Sequence, residues 1–110
     1  MKTIIGKVGT GKTKALIEES AKTWAYIVCP SLGRANDIQK FAKELGLDIP
    51  LPITHGEFID RKYSAKGIRG FLIDDAEMLL QRISMVNVMG ISIGDYGDVQ
   101  ILEDLQSCRT

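Results

Sequence analysis

Four residues near the amino terminus pose the chemical question: Gly6, Gly11, Lys12 and Thr13, in the stretch GKVGTGKT. The spacing Gly-x-x-x-x-Gly-Lys-Thr fits a phosphate-binding loop, in which a strand runs into a glycine-rich turn and then a helix. Glycines let successive backbone N–H groups point inward as an anion nest, and the helix that opens near Lys12 turns its positive end toward the same phosphates. Gly9 adds further freedom. Lys12 is suited to place a point charge between β- and γ-phosphates, and the Thr13 hydroxyl is a ligand for Mg²⁺. The whole cradle comprises Gly6, Lys7, Val8, Gly9, Thr10, Gly11, Lys12, Thr13 and Lys14, of which Lys7 and Lys14 are equally well read as solvated lysines. The competing reading is a glycine-rich turn that holds no ligand.

The second chemical feature is GIRGFLIDDAEMLL, where the apolar run Phe71-Leu72-Ile73 ends in Asp74 and Asp75. Ligands of open α/β sheets bind at the carboxyl ends of the strands. The phosphate loop emerges at that end too, so Asp74 is the candidate to face a Mg²⁺ held by Thr13. Successive side chains of a strand alternate in direction, so Asp75 lies beside Asp74 and is free to orient or polarise an attacking water. Glu77 competes for that second role; it is also explained as a first-turn acid that favours the helix dipole. A strand-end aspartate that merely caps the next helix is the bland alternative for the pair.

These residues need a frame. Apolar runs alternate with helical patterns along the chain, the mark of a parallel sheet with helices packed on it. The runs predict strands at Thr3–Ile5, Trp24–Cys29, Leu51–Thr54, Gly70–Asp74 and Val88–Ile93, giving an α/β domain with a mainly parallel five-stranded sheet. Between them, KTKALIEESAKTW puts Leu16, Ile17, Ala21 and Trp24 on one helical face, and GRANDIQKFAKELG aligns Ile38, Phe41, Ala42 and Leu45 before a stop at Gly46. DAEMLLQRISMV offers Met78, Leu79, Ile83 and Val86 as a packing stripe, with its methionines in the core. GEFIDRKYSAKGI reads as a short helix followed by an exposed basic loop, and GDVQILEDLQSCRT as either an edge strand or a helix.

At 110 residues, with 45% hydrophobic and 25% charged side chains, the chain has the composition of a single soluble globular domain. Fourteen basic residues balance fourteen acidic ones, which excludes a whole-molecule field for nucleic acid or anionic membrane and leaves only local binding. No apolar run approaches the roughly 20 residues of a bilayer span, so no membrane partner and a cytoplasmic location are expected. Cys29 and Cys108 lack metal-ligand spacing and are expected as reduced thiols, and the single His55 builds no zinc site alone.

On these motifs the chain resembles the P-loop NTPases of the additional-strand branch, which includes RecA-like, AAA+ and helicase ATPases. Gly6–Thr13 resembles Walker A and Phe71–Asp75 resembles Walker B, in the Asp-Asp form found in replication initiators and helicase loaders. The resemblance implies a three-layer fold, ATP and Mg²⁺ as cofactors, catalytic roles for Lys12 and Asp75, and metal ligation by Thr13 and Asp74. A fainter similarity to helicase lobes lies in CPSLGRA and THGEF, whose counterparts touch single-stranded nucleic acid; Pro30-Ser31 and Thr54 are equally explained as helix starts. VNVMGISIGD stands where the family has a sensor strand, with Ser92 or Asp95 as its polar group, but the Gly-Asp-x-x-Gln spacing of helicases is absent. A motor's second lobe does not fit in this length.

Three functions follow as expectations. The first is a weak Mg²⁺-dependent ATPase that assists DNA replication, recombination or packaging, as an oligomer or with a protein partner whose arginine meets the transition-state charge; Arg34, Arg61, Arg69 and Arg82 are the candidates within this chain. The second is a small nucleoside or nucleotide kinase, and the third a nucleotide-binding module that does not hydrolyse. Lys62, Lys66 and Arg69 around Tyr63 add a local basic stretch with an aromatic able to stack a base of single-stranded DNA, or simply a solvated loop.

Overall fold

The computed structural model describes residues 1–6, 11–94 and 98–102. Its elements are β1 (Thr3–Gly6), α1 (Lys12–Thr23), β2 (Tyr26–Cys29), α2 (Leu32–Glu44), β3 (Ile53–Thr54), α3 (His55–Ile59), β4 (Phe71–Ile73), α4 (Ala76–Ser84) and β5 (Val99–Leu102). Every strand pairing is parallel, as the alternation of apolar runs with helices requires. The strands form two small sheets, β1-β5 and β3-β2-β4, rather than one continuous sheet of five.

The register of the larger sheet sorts its side chains. Ile27 and Cys29 point to one face with Leu72, where they meet Leu16 and Ile17 of α1 and Ala35, Ile38 and Ala42 of α2. Tyr26 and Val28 point to the other face, as do their register partners Phe71 and Ile73. α1 packs against both β1 and β2, so it is the element that ties the two sheets together. Ile17, Ile27 and Ile38 are almost wholly buried, each contributing about 1.5–3 kcal/mol of hydrophobic stabilisation. Ser20 sits in the same core and satisfies its hydroxyl by donating to the Ala25 carbonyl at 2.7 Å.

Three further expectations fail, each for a local reason. Val88–Ile93 forms no strand, and Met89, Ile91 and Ile93 are exposed; Gly90 interrupts the run, and neither β4 nor β1 pairs with it. The fifth strand is instead Val99–Leu102, the edge-strand option for the tail, which pairs with β1 from Thr3↔Val99 to Gly6↔Leu102. Trp24 leaves the α1 face because the chain turns left-handed there, with its N–H on the Ser20 carbonyl. Leu79 alone of α4's stripe is buried: the helix stops at Ser84, which puts Val86 outside it, and Ile83 and Met85 face solvent.

Met85 occupies the left-handed region with φ 59° while 88% exposed, so it bears the steric penalty of that conformation with almost no burial in return. Met85→Gly is therefore expected to stabilise the protein by about 0.5–1 kcal/mol after the extra entropy of glycine in the unfolded chain is counted. A urea-unfolding midpoint that rises with an unchanged slope checks this.

Candidate functional site

The candidate site lies where β2 and β4 end and where α1, α2 and α4 begin. Gly6 closes β1, and Lys7, Val8, Gly9 and Thr10 lie outside the described residues. Gly11 then stands at the cap position of α1 with φ 90°, a conformation open to glycine at little cost, and its carbonyl receives the Ala15 N–H. Lys12 and Thr13 are the first two helical residues, both half-buried, and Lys14 is exposed. The helix thus opens at the residues whose chemistry the spacing singled out.

Asp74 follows β4 directly, and its N–H extends the ladder to the Val28 carbonyl at 2.8 Å. That pairing carries the carboxylate into the protein: Asp74 is 8% exposed, and its Oδ2 is buried without a hydrogen bond. The guanidinium Nε of Arg34, in the first turn of α2, stands 3.5 Å from that oxygen. Burial pushes the Asp74 carboxyl above its usual range, and the neighbouring Asp75 adds to this, while Arg34, Lys12 and His55 pull it back. Lys12 acts electrostatically on Asp74 and on Glu77, so the helix that ends the glycine loop and the acids that end β4 share one electrostatic site.

Asp75 occupies the cap position of α4 with φ 59° and makes no side-chain capping bond. The bland explanation of this aspartate as a helix cap therefore fails, and its half-buried carboxylate is left to its neighbours. One is Glu77, whose carboxyl is raised first by a hydrogen bond shared with Asp75 and further by burial and by the Asp75 charge, against its own backbone N–H and Lys12.

Two side chains at the site were hidden from sequence reasoning in their roles. His55, completely buried, donates from Nε2 to the Asp74 carbonyl at 2.8 Å, and its Nδ1 is buried without a partner. Arg34, offered by the sequence as one arginine among several, is committed to Asp74. Neither role has a local signal, because each depends on the parallel register of β3-β2-β4. Cys29 is a free, buried thiol donating to the carbonyls of Ile53 and Ser31, and burial raises its pKa, as expected of an inert core cysteine.

The fainter motifs resolve toward structure. Ser31 Oγ accepts the Arg34 N–H at 3.2 Å, and Thr54 forms a full capping box with Glu57. Ser92 lies exposed in an irregular segment, and Asp95 lies outside the described residues.

A Mg²⁺ ion takes hard oxygen ligands, commonly one or two carboxylates completed by water and substrate phosphates. Thr13 and Asp74 carry oxygens of that kind, but Asp74 Oδ2 is buried facing the Arg34 guanidinium and no hydrogen bond joins Thr13 to Asp74, so Asp74 Oδ1 is the oxygen left for a metal. Among the described residues no cluster of three or more His, Cys, Asp or Glu exists that would hold a metal unaided. No described helix is long and apolar enough to cross a membrane. Compared with known proteins, the chain matches no family model, no curated protein and no solved structure.

Proposed function

We propose that the chain is a minimal three-layer P-loop NTPase that binds ATP with Mg²⁺ and hydrolyses it slowly, assisted by a second copy or a partner in DNA replication, recombination or packaging. What supports this best is the backbone at the two motifs: Gly11 with φ 90° opens α1 at Lys12 and Thr13, and Asp74 and Asp75 stand where β4 ends and α4 begins, with no capping bond from Asp75. In this reading Lys12 and the loop N–H groups bind the phosphates, and Thr13 and Asp74 are the groups that would hold the metal. Bound Mg²⁺ supplies neutralisation of the charge on the transferring phosphoryl group. Asp75 orients the attacking water, and Glu77 is the competing acid for that role. Arg34 offsets part of the desolvation that raises the Asp74 carboxyl.

Arg34 is engaged within the site and Arg82 donates to the Pro30 carbonyl at 2.8 Å, which leaves Arg61 and Arg69 as exposed candidates for a finger reaching a neighbour. A shared finger is worth about 10³–10⁵ in rate. Turnover of Mg-ATP per molecule is thus expected to rise with protein concentration, and Asp75→Asn to lower it about 10²-fold or more. Phosphate-release assays over a concentration series test both points. Unchanged turnover in Asp75→Asn removes the water-orienting role, and turnover only with an added nucleoside acceptor identifies a kinase instead.

A further inference from the structure

The aromatic side chains gather at the end of the sheet opposite Asp74. Tyr26 and Phe71, register partners at the starts of β2 and β4, stack with centroids 6.0 Å apart at 20°. Phe58 of α3 meets Phe71 edge-on at 5.0 Å, and Tyr63 of the following loop does so at 5.1 Å while lying nearly parallel to Phe58. The Tyr26 hydroxyl donates to the Ser64 carbonyl at 2.9 Å and pins that loop over the sheet.

A buried aromatic cluster of this kind is ordinarily core, but here it is left open. Phe58, Tyr63 and Phe71 are only half-buried and line a groove of about 580 Å³ together with Arg61 and the exposed Ile59 and Ile83. That volume lies within the roughly 300–1,000 Å³ of small-ligand sites. Arg61 lines the groove, and Lys62, Lys66 and Arg69 are exposed along the same loop that carries Tyr63; no acid occurs between Arg61 and Arg69, Asp60 precedes them, and none of the four is in an ion pair among the described residues. In a chain with no net charge this is a local field. Arg61 takes φ 57°, an unfavourable conformation for a side chain of its size.

We propose that this groove binds single-stranded nucleic acid, with an unpaired base against the Tyr63 and Phe58 rings and the flanking phosphates on Arg61, Lys62, Lys66 and Arg69. Rings and cations together select the occupant. An apolar peptide leaves four cations unmatched, an acidic peptide leaves the rings unused, and a duplex hides its base faces. Only a single strand offers planar faces and phosphates in alternation, and such stacking tolerates any sequence. The groove lies about 10 Å along β4 from Asp74, by strand rise over three residues, and on the opposite end of the sheet. It does not rest on the nucleotide reading, and binding is independent of ATP.

Fluorescence anisotropy of a labelled oligothymidylate of about 15 nucleotides, with the full chain and no ATP, tests the proposal. Affinity is expected to fall by about 0.7 logarithmic units per phosphate contact for each tenfold rise in salt, and Lys66→Ala with Arg69→Ala to reduce that slope by about 1.4. Tyr63→Ala should weaken binding about five- to hundredfold, whereas Tyr63→Phe, which keeps the ring, should stay within about twofold. Lys12→Ala should bind as the parent does, which separates failure here from failure of the nucleotide site. Salt-insensitive binding, equal affinity for a hairpin duplex, or Tyr63→Ala indistinguishable from the parent would each overturn it. Should the alanine variant lose its circular-dichroism melt, the lysine and arginine variants still decide through the slope.

Discussion

Replacing Lys12 with alanine is expected to lower Mg²⁺-dependent ATP turnover by about 10²–10³, the range for removing one preorganised charge-stabilising donor from a reaction site. The fold should survive. Lys12 is the first residue of α1, half-buried and outside the hydrophobic core, and a cation at a helix start opposes the helix dipole. Alanine removes that repulsion and is a strong helix former, so the thermal midpoint is expected to stay or rise slightly. The acid limb of the pH–rate profile should also move to higher pH, because Lys12 is among the charges that favour the ionised forms of Asp74 and Glu77. Lys14→Ala, two residues on and exposed, serves as the control and should leave turnover within about threefold. Turnover and ATP-induced stabilisation both intact in Lys12→Ala would place the phosphates elsewhere.

That test rests on a site whose parts were unequally legible. The residues with obligatory backbone behaviour read well: Gly11 takes a left-handed conformation at the start of a helix, and Gly46 takes another just past the end of α2. Periodicity found α1, α2 and α4, the short β3 sits within the segment assigned to it, and α3 begins one residue before its own. What periodicity measures is apolar spacing, and it is blind to whether a partner exists. Val88–Ile93 has the composition of a buried strand and stays irregular because no neighbour supplies its hydrogen bonds, while the more polar Val99–Leu102 becomes a strand by pairing with β1. The same limit hid the support of Asp74. Adjacent acids at a strand end are visible in sequence; a histidine 19 positions earlier on the carbonyl of one of them, and an arginine from another helix on its carboxylate, are products of register.

Register also explains why one small sheet can carry two unrelated surfaces. Its parallel strands put all their carboxyl ends together, where Asp74 is drawn inward by the Val28 pairing. They put all their amino ends together as well, where Tyr26 and Phe71 fall side by side. The charged chemistry and the aromatic groove are therefore separated by the strand itself, and α3 connects them: His55 at its start touches Asp74, and Phe58 one turn later faces the rings.

Asp74→Asn is expected to abolish Mg²⁺-dependent turnover while raising stability at neutral pH by about 0.5–2 kcal/mol, or about 5 °C in the thermal midpoint. The two effects share a cause. A carboxylate buried with an unbonded Oδ2 is unfavourable in its charged form, which is why its pKa is raised above the usual carboxylate range. Asparagine removes the charge at nearly constant shape and keeps the backbone carbonyl that receives His55 Nε2–H. Arg34 is not stranded by the change, since its side chain is 45% exposed and stays solvated. The sign in pH follows. A carboxyl with a raised folded-state pKa contributes most to stability below its unfolded pKa of about 3.9, and that contribution is lost as pH rises through the folded value. The asparagine variant has no such loss. Its midpoint should match the parent near pH 4 and exceed it by a margin that widens toward pH 7, in scans without nucleotide. Mg-ATP should then stabilise the parent through linkage and leave the variant almost unmoved. A margin that shrinks with rising pH would mean that Arg34 and Lys12 outweigh desolvation at Asp74, and that the carboxylate is held for stability rather than for metal.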